Sequence, residues 1–325
     1  MTRLPRKLIR RMPAPLVLTE RDRVILEWVY RYRFLTTDHI QTITASKSRD
    51  KLNKRLKHLF DAKYLDRPII QDRLFAYADK RPLVHALGNE GARYIEEALG
   101  IELPKTVYWT DKNRKVKSAD FLLHTLGVAD FFVSLHVALT DVDDIRLVDQ
   151  AGVIAQSPAA TQRLDFPLSM PTRYRWFDGV LVKRSTVSDG IFALVDSRGA
   201  TERKAFHFLE YDGSTMPIVR KTANQSSIVQ KMLGYADIYR RKLHTHRFGY
   251  RNFRTLFVIR ASGRQPAHDR IAGIIDAYDE HARRLIPPGA FLFADYDELM
   301  QHSPLGDVWI NARGEQTVLV PSLKR

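Results

Sequence analysis

The chain has 325 residues, 44% of them hydrophobic and 27% charged, which is enough to bury a core in one large domain or two ordinary ones and too apolar for a disordered chain. It contains no cysteine, which excludes disulfides, thiolate catalysis and cysteine-ligated zinc or iron–sulfur sites. Lys and Arg number 52 against 37 Asp and Glu, a formal charge of +15 that favours a polyanionic partner.

The surplus is uneven. Residues 1–80 hold 19 Lys and Arg against 9 Asp and Glu, whereas the other 245 hold 33 against 28. A charge concentrated in one segment points to contact with nucleic acid there. No apolar run suggests a membrane span, and the basic start MTRLPRKLIRRMPAPLVL lacks the apolar centre of a signal peptide. A cytoplasmic location is the resulting expectation.

In chain order, Thr19 followed by Glu20 and Asp22 predicts a helix start, and Val24, Ile25, Trp28, Val29 and Tyr32 continue it as an apolar stripe. Thr37 predicts the cap of a short helix through Ile40 and Ile43. Ser46 or Ser48 opens a third, with Leu52, Leu56 and Leu59 on its apolar side. Lys47, Arg49, Lys51, Lys54 and Arg55 project from the other side and are the candidate DNA contacts. Helix, turn, short helix, turn, basic helix is the order of a helix-turn-helix, in which one helix enters the major groove. Strands over Ile69–Tyr77 and Leu83–Leu87 would form a wing, and a helix over Gly91–Leu99 would close the module. The polar tract 104–119, with Lys112, Arg114, Lys115 and Lys117, reads as a basic linker.

A helix is then predicted over Asp120–Leu139, amphipathic and carrying His124 and His136. Strands follow over Ile145–Val148, Tyr174–Val182, Ile191–Val195, Ala205–Tyr211, Thr255–Ile259 and Ala290–Ala294, with helices over Ser226–Lys242 and His268–Leu285. This is a mixed α/β, or α+β, pattern. Two strand segments carry acids that are costly to bury alone: Asp178 in Trp176-Phe177-Asp178-Gly179, and Glu210 in Phe208-Leu209-Glu210-Tyr211-Asp212. Glu210 and Asp212 lie two apart, so a strand would point both to one face. With Asp178 from an adjacent strand they could make a three-carboxylate site for Mg²⁺ or Mn²⁺, ions that take hard oxygen ligands. The competing reading is a set of buried acids paired with Arg175 or Arg220. Lys231 and Tyr235, four apart on a predicted helix, share a face. No Walker loop, dinucleotide fingerprint or His-x-x-x-His pair occurs, and His244 and His246 form only a pair.

The segments LTERDRVILEWVYRYRFLTTDHI, RLKHLFDAKYLDRP, ALGNEGARYIEE, LLHTLGVADF, WFDGVLV, FLEYDGSTMP, KMLGYADIY and SPLGDVW, in this order, resemble the plasmid replication-relaxation family. That family joins a winged helix to a PD-(D/E)xK core of the restriction-endonuclease type and includes the mobilisation-C class of relaxases. The resemblance implies a basic arm over 1–18, a winged-helix domain over 19–103, the linker over 104–119 and a nuclease-like domain over 120–325. It implies Asp178, Glu210 and Asp212 as metal ligands and, with Lys231, as catalytic residues. The sequence departs from the general nuclease pattern where Asp212 stands in place of the lysine two after the glutamate. Lys231 is a substitute from the next helix, like the first residue of the Gln-x-x-x-Tyr pair of some nucleases of this fold; Lys221 is a second candidate. Two functions follow as expectations. One is a Mg²⁺- or Mn²⁺-dependent DNA nickase acting at a mobile-element origin. The other is a non-catalytic DNA-binding initiator, accessory factor or regulator. Double-stranded DNA, single-stranded DNA at a nicked origin, and conjugation or replication proteins are the implied partners, and a homodimer is left open.

Overall fold

In a computed structural model of the chain, the described residues are 5–74, 82–103, 111–116, 118–223, 225–261 and 265–320. They divide into two compact units, Met1–Val133 and Ser134–Arg325, with the boundary inside one long helix. The fold is mixed α+β, as the sequence predicts.

The first unit begins with α1 (Glu20–Tyr32), β1 (Phe34–Thr36), α2 (Thr37–Ile43) and α3 (Arg49–Asp61). Thr19 caps α1 in a reciprocal box: its hydroxyl accepts from Asp22 N at 3.4 Å, and the Asp22 carboxylate accepts from Thr19 N at 2.7 Å. The cap of α2 is Thr36 rather than Thr37, because the Thr36 hydroxyl is the one that accepts from His39 N, at 3.1 Å. Ser48 caps α3, which buries Leu52, Leu56 and Leu59 in one cluster with α1 residues Ile25, Leu26 and Val29.

Then come β2 (Leu65–Asp66), α4 (Gln71–Leu74), β3 (Val84–Leu87), α5 (Asn89–Leu99), α6 (Asp111–Arg114) and α7 (Ala119–Thr140). The three strands form one antiparallel sheet in the order β1-β3-β2. Where a strand is expected from Ile69 to Tyr77, residues 71–74 form the helical turn α4, and the short strand β2 lies earlier, at Leu65–Asp66. Pro68 has no N–H to give a ladder. The Gln71 side chain takes over, accepting from Val84 N at 2.9 Å and donating to Val84 O at 3.1 Å. Residues 75–81, on which the rest of that expectation falls, lie outside the described residues, as do 104–110 and Lys117 of the expected linker.

Two glycines of the ALGNEGARYIEE segment explain themselves here. A Cβ on Gly88 would stand 2.2 Å from Lys63 O, and one on Gly91 would stand 2.2 Å from Tyr64 O, so only glycine lets α5 start this close to the chain leaving α3. Residues 8–11 of the basic N-terminal tract are docked. Leu8 is buried, the Arg10 guanidinium lies 4.3 Å above the Phe60 ring and pairs with Asp66 at 2.8 Å, and Arg11 N donates to Asp61 at 2.9 Å.

α7 differs from expectation. It is apolar nearly all round rather than amphipathic, and by length and composition alone it could cross a membrane. Its Leu122, Ala129, Phe131 and Phe132 are buried, and Phe132 stacks on Tyr32 at 5.0 Å, which is the packing of a core helix. No other helix among the described residues is long and apolar enough to span.

The second unit continues with β4 (Ile145–Val148), α8 (Gln150–Ala155), α9 (Ala159–Gln162), β5 (Ser169–Arg175), β6 (Leu181–Val187), β7 (Gly190–Asp196) and β8 (Arg203–Asp212). After these come α10 (Ile228–Arg240), α11 (Leu243–Phe248), β9 (Arg254–Ile259), α12 (Ala267–His281), β10 (Phe291–Asp295), α13 (Tyr296–His302), β11 (Trp309–Asn311) and β12 (Gln316–Thr317). Seven strands form one sheet in the order β12-β11-β10-β9-β8-β7-β4. β8, β9 and β10 are parallel, as crossovers through α10 and α12 require, and the flanking pairs are antiparallel. Phe206, Phe208, Phe257, Ile259 and Phe293 meet Met232, Tyr235, Ile274 and Tyr278 in the main core.

The strand expected over Tyr174–Val182 is a hairpin. β5 and β6 pair as a separate two-stranded ribbon, and the chain reverses at Trp176–Val180. Gly179 takes φ +81, and the Asp178 carboxylate accepts from Val180 N at 3.0 Å, so the Asp-Gly pair makes the turn.

Candidate functional site

Glu210 lies near the end of β8, in the middle of the seven-stranded sheet, and is 1% exposed. The even-numbered side chains of β8, Phe206 and Phe208 among them, face α10. Glu210 continues that row but presents a charge, so α10 must answer it. It does so with two residues one turn apart: Lys231 Nζ donates to Glu210 Oε2, and Tyr235 Oη donates to Oε1. Both carboxylate oxygens are therefore satisfied, which is what makes burial of this group tolerable.

A third acid joins them. Asp189, just before β7, places Oδ2 4.0 Å from Lys231 Nζ and accepts from Tyr211 N at 2.9 Å. Because β7 runs antiparallel to β8, with Gly190 opposite Leu209, the start of β7 lies beside the end of β8. One ammonium thus sits between two carboxylates. Burial pushes the Glu210 carboxyl up to about 7, with the nearby Asp189 charge adding to the rise and Lys231 opposing it. Burial works against the Lys231 charge, but Glu210 and Asp189 outweigh it and hold the ammonium above its ordinary value. Burial, then the Glu210 charge, keep the Tyr235 phenol well above its usual range, so it donates. A cavity of about 180 Å³ opens beside Lys231, lined by Arg184, Ser185, Thr186, Ser226 and Ser227.

The structure brings together Glu210, Lys231 and Tyr235, and adds Asp189. It does not assemble the expected trio of Asp178, Glu210 and Asp212. Asp178 is exposed at the ribbon turn, where a carboxylate serves the backbone, and it forms no hydrogen bond or ion pair with Glu210 or Asp212. Asp212 shares the Glu210 face but meets α12 instead: Arg270 Nε donates to it at 2.6 Å, so its charge is already neutralised. Lys221 takes no part; its carbonyl accepts from Trp176 Nε1 at 3.3 Å. Among the described residues no group of three or more His, Cys, Asp or Glu is gathered to hold a metal. The cavity reaches Lys231 and is lined by neither carboxylate; since Mg²⁺ commonly takes one or two carboxylates and completes its shell with water and phosphate oxygens, Asp189 and Glu210 are the residues that could hold such an ion. That Asp189 and Glu210 already converge on one cation, the Lys231 ammonium, is the observation that fits such an ion.

The basic helix of the first unit divides in the same way. Lys47, Lys51 and Lys54 are exposed. Arg49 pairs with Asp38 and donates to Gln41 Oε1 at 2.8 Å. Arg55 is a brace: Nε donates to Asp22 Oδ1 at 2.9 Å, and an Nη donates to Val17 O at 2.7 Å. Asp22 is fully buried, which raises its carboxyl, yet Arg55 and Thr19 outweigh that and hold it below its ordinary value. Arg49 and Arg55 are thus committed within the fold, whereas Lys47, just ahead of the helix, and Lys51 and Lys54 on it form no ion pair among the described residues.

The signal for Asp189 was present as Ser188-Asp189-Gly190 directly ahead of the apolar run Ile191–Val195. An acid at the mouth of a buried strand is as unusual as one at its end.

These features define a mixed α+β protein whose first unit carries a basic helix and whose second unit holds a buried carboxylate–lysine–tyrosine site. The chain belongs to the replication-relaxation family, whose model matches residues 26–251. The match takes in the second half of α1, α2, α3 and the whole Asp189, Glu210, Lys231 and Tyr235 group, and it points to a role in plasmid replication or mobilisation. No curated protein and no solved structure matches the chain.

Proposed function

We propose that this protein binds double-stranded DNA at a mobile-element origin and nicks one strand there in a metal-dependent reaction. The observation that carries the reading is the convergence of Asp189, Glu210 and Lys231 in one buried group. A site of this composition, at the end of a central strand, is costly for a protein that needs only a scaffold.

In this reading the first unit is a winged-helix module, and Lys47, Lys51 and Lys54 of the α3 region meet phosphates and base edges in the major groove. Asp189 and Glu210 would hold Mg²⁺ or Mn²⁺, which when bound supplies a Lewis acid for charge developing on a phosphate. Tyr235 donates to Glu210 and fixes which oxygen turns toward the site. Lys231, at the 180 Å³ cavity, offers a positive charge to a phosphate placed there, with Arg184 also lining it. Its ammonium takes the role of the lysine that Asp212 replaces.

A second reading keeps DNA binding and drops catalysis. It is favoured by the Lys231–Glu210 pair, which satisfies the carboxylate without an ion, and by the Arg270–Asp212 pair. Cleavage of supercoiled DNA carrying the native origin, with Mg²⁺ or Mn²⁺, separates the two. Metal-dependent conversion to open circles by the wild type, absent in Glu210→Ala, is the expected result. Tight, salt-sensitive binding with no cutting under either metal would leave a non-catalytic initiator or regulator.

A further inference from the structure

We propose that the β5–β6 ribbon is a second duplex-binding element, lying on the DNA beside the Glu210 site. The inference rests on the reading of the chain as a DNA-binding protein, and it adds a contact surface separate from the α3 helix.

The ribbon has two different faces. Met170, Thr172, Tyr174 and Thr186 are buried on the inner one. That face is pinned to α10. Thr172 and Thr186 share a hydrogen bond at 3.0 Å, Arg173 N donates to Asp237 at 2.8 Å, and a Cβ on Gly234 would stand 2.1 Å from Thr186 Oγ1. The outer face carries Arg173, Arg175 and Lys183, all exposed, and no acid. Arg173 stands directly opposite Lys183, and Arg175 opposite Leu181.

Like charges directly opposite on paired strands repel, and a free-standing hairpin would place an acid at one of these positions. Here the register is fixed by the Asp178-Gly179 turn and by the α10 contacts, so the pair cannot slip apart. Arg175 donates to Gly179 O at 2.9 Å, while the Arg173 and Lys183 side chains form no ion pair among the described residues. A rigid surface that holds unneutralised cations in register is complementary to a polyanion of regular spacing. Its shape selects duplex DNA, because a two-stranded ribbon fits the major groove and seven-residue strands extend roughly 20 Å along it. The inner face of the same ribbon packs on α10, the helix that delivers Lys231 and Tyr235, so DNA held on the outer face runs close to the site.

The test compares three full-length proteins on a 30-base-pair duplex of arbitrary sequence, with affinity measured across a range of salt. They are the wild type, Arg173→Gln/Lys183→Gln, and a charge-matched control, Arg283→Gln/Arg284→Gln, two exposed cations after α12. Loss of two phosphate contacts lowers the slope of log affinity against log salt by about two. The ribbon variant should show this change, with at least a tenfold loss of affinity at physiological salt, and the control should not. Unchanged melting temperature and circular dichroism would show that both variants fold. A ribbon variant indistinguishable from the control, in a protein that otherwise binds the duplex, overturns the ribbon proposal alone. No duplex binding by the wild type overturns the DNA-binding reading with it. A loss confined to single-stranded DNA also contradicts the proposal, since the ribbon is matched to a duplex.

Discussion

At the scale of the residue, the site depends on how one buried carboxylate is answered. Glu210 is more easily protonated in the folded chain, at about 7, than in the unfolded one. A carboxyl raised in this way contributes stability that is complete below about 4.5 and is lost as pH rises to about 7. Chemical denaturation of the metal-free wild type should therefore show stability falling across that window relative to Glu210→Gln, whose amide does not titrate. Parallel pH profiles for the two proteins would contradict the burial argument. Arg55 gives a second case. Its removal strands the fully buried Asp22, and losing one partner of such a pair costs roughly 3–5 kcal/mol. Arg55→Ala should lower the unfolding midpoint far more than Lys51→Ala, whose side chain is exposed and forms no ion pair among the described residues. Equal effects would show that Arg55 does not brace the fold. Both roles were hard to read from sequence. A basic residue on a helix surface looks the same whether it faces solvent or reaches across to a buried acid, and Asp22 was legible only as part of a cap.

At the scale of the element, capping and apolar spacing made the helices of the first unit and the central strands legible, since these signals are local. Thr19, Ser48 and the Leu52-Leu56-Leu59 stripe act within one helix. The β5–β6 hairpin was missed because its apolar inner residues and its turn read as one run, and only the Asp178-Gly179 pair marked the reversal. That error moved Asp178 into the site and hid Asp189, whose place depends on how β7 pairs with β8. Which strands are neighbours is a long-range property, and spacing along the chain does not report it. Close packing of α10 on the ribbon gives a direct check. Gly234→Ala would force its methyl against Thr186, overpacking that costs about 1–3 kcal/mol. A double variant with Thr186→Ala should recover part of the loss. If Gly234→Ala is as stable as the wild type, α10 and β6 are not in the contact described.

At the scale of the whole molecule, the family match spans elements of both units, and the basic surplus of residues 1–80 belongs to the one that holds α3. Replacing Lys47, Lys51 and Lys54 together by Gln should weaken binding to the origin duplex and reduce its salt slope by about three. A variant that binds as the wild type does would remove α3 from the interface. The central claim, however, is that Asp189 and Glu210, rather than the acid on the ribbon turn, form the reactive site. The most direct measurement is metal-dependent nicking of supercoiled origin DNA by Asp189→Asn and Asp178→Asn, side by side with the wild type. The account predicts loss of nicking in Asp189→Asn and its retention in Asp178→Asn; the reverse pattern, or full activity in both, would contradict it.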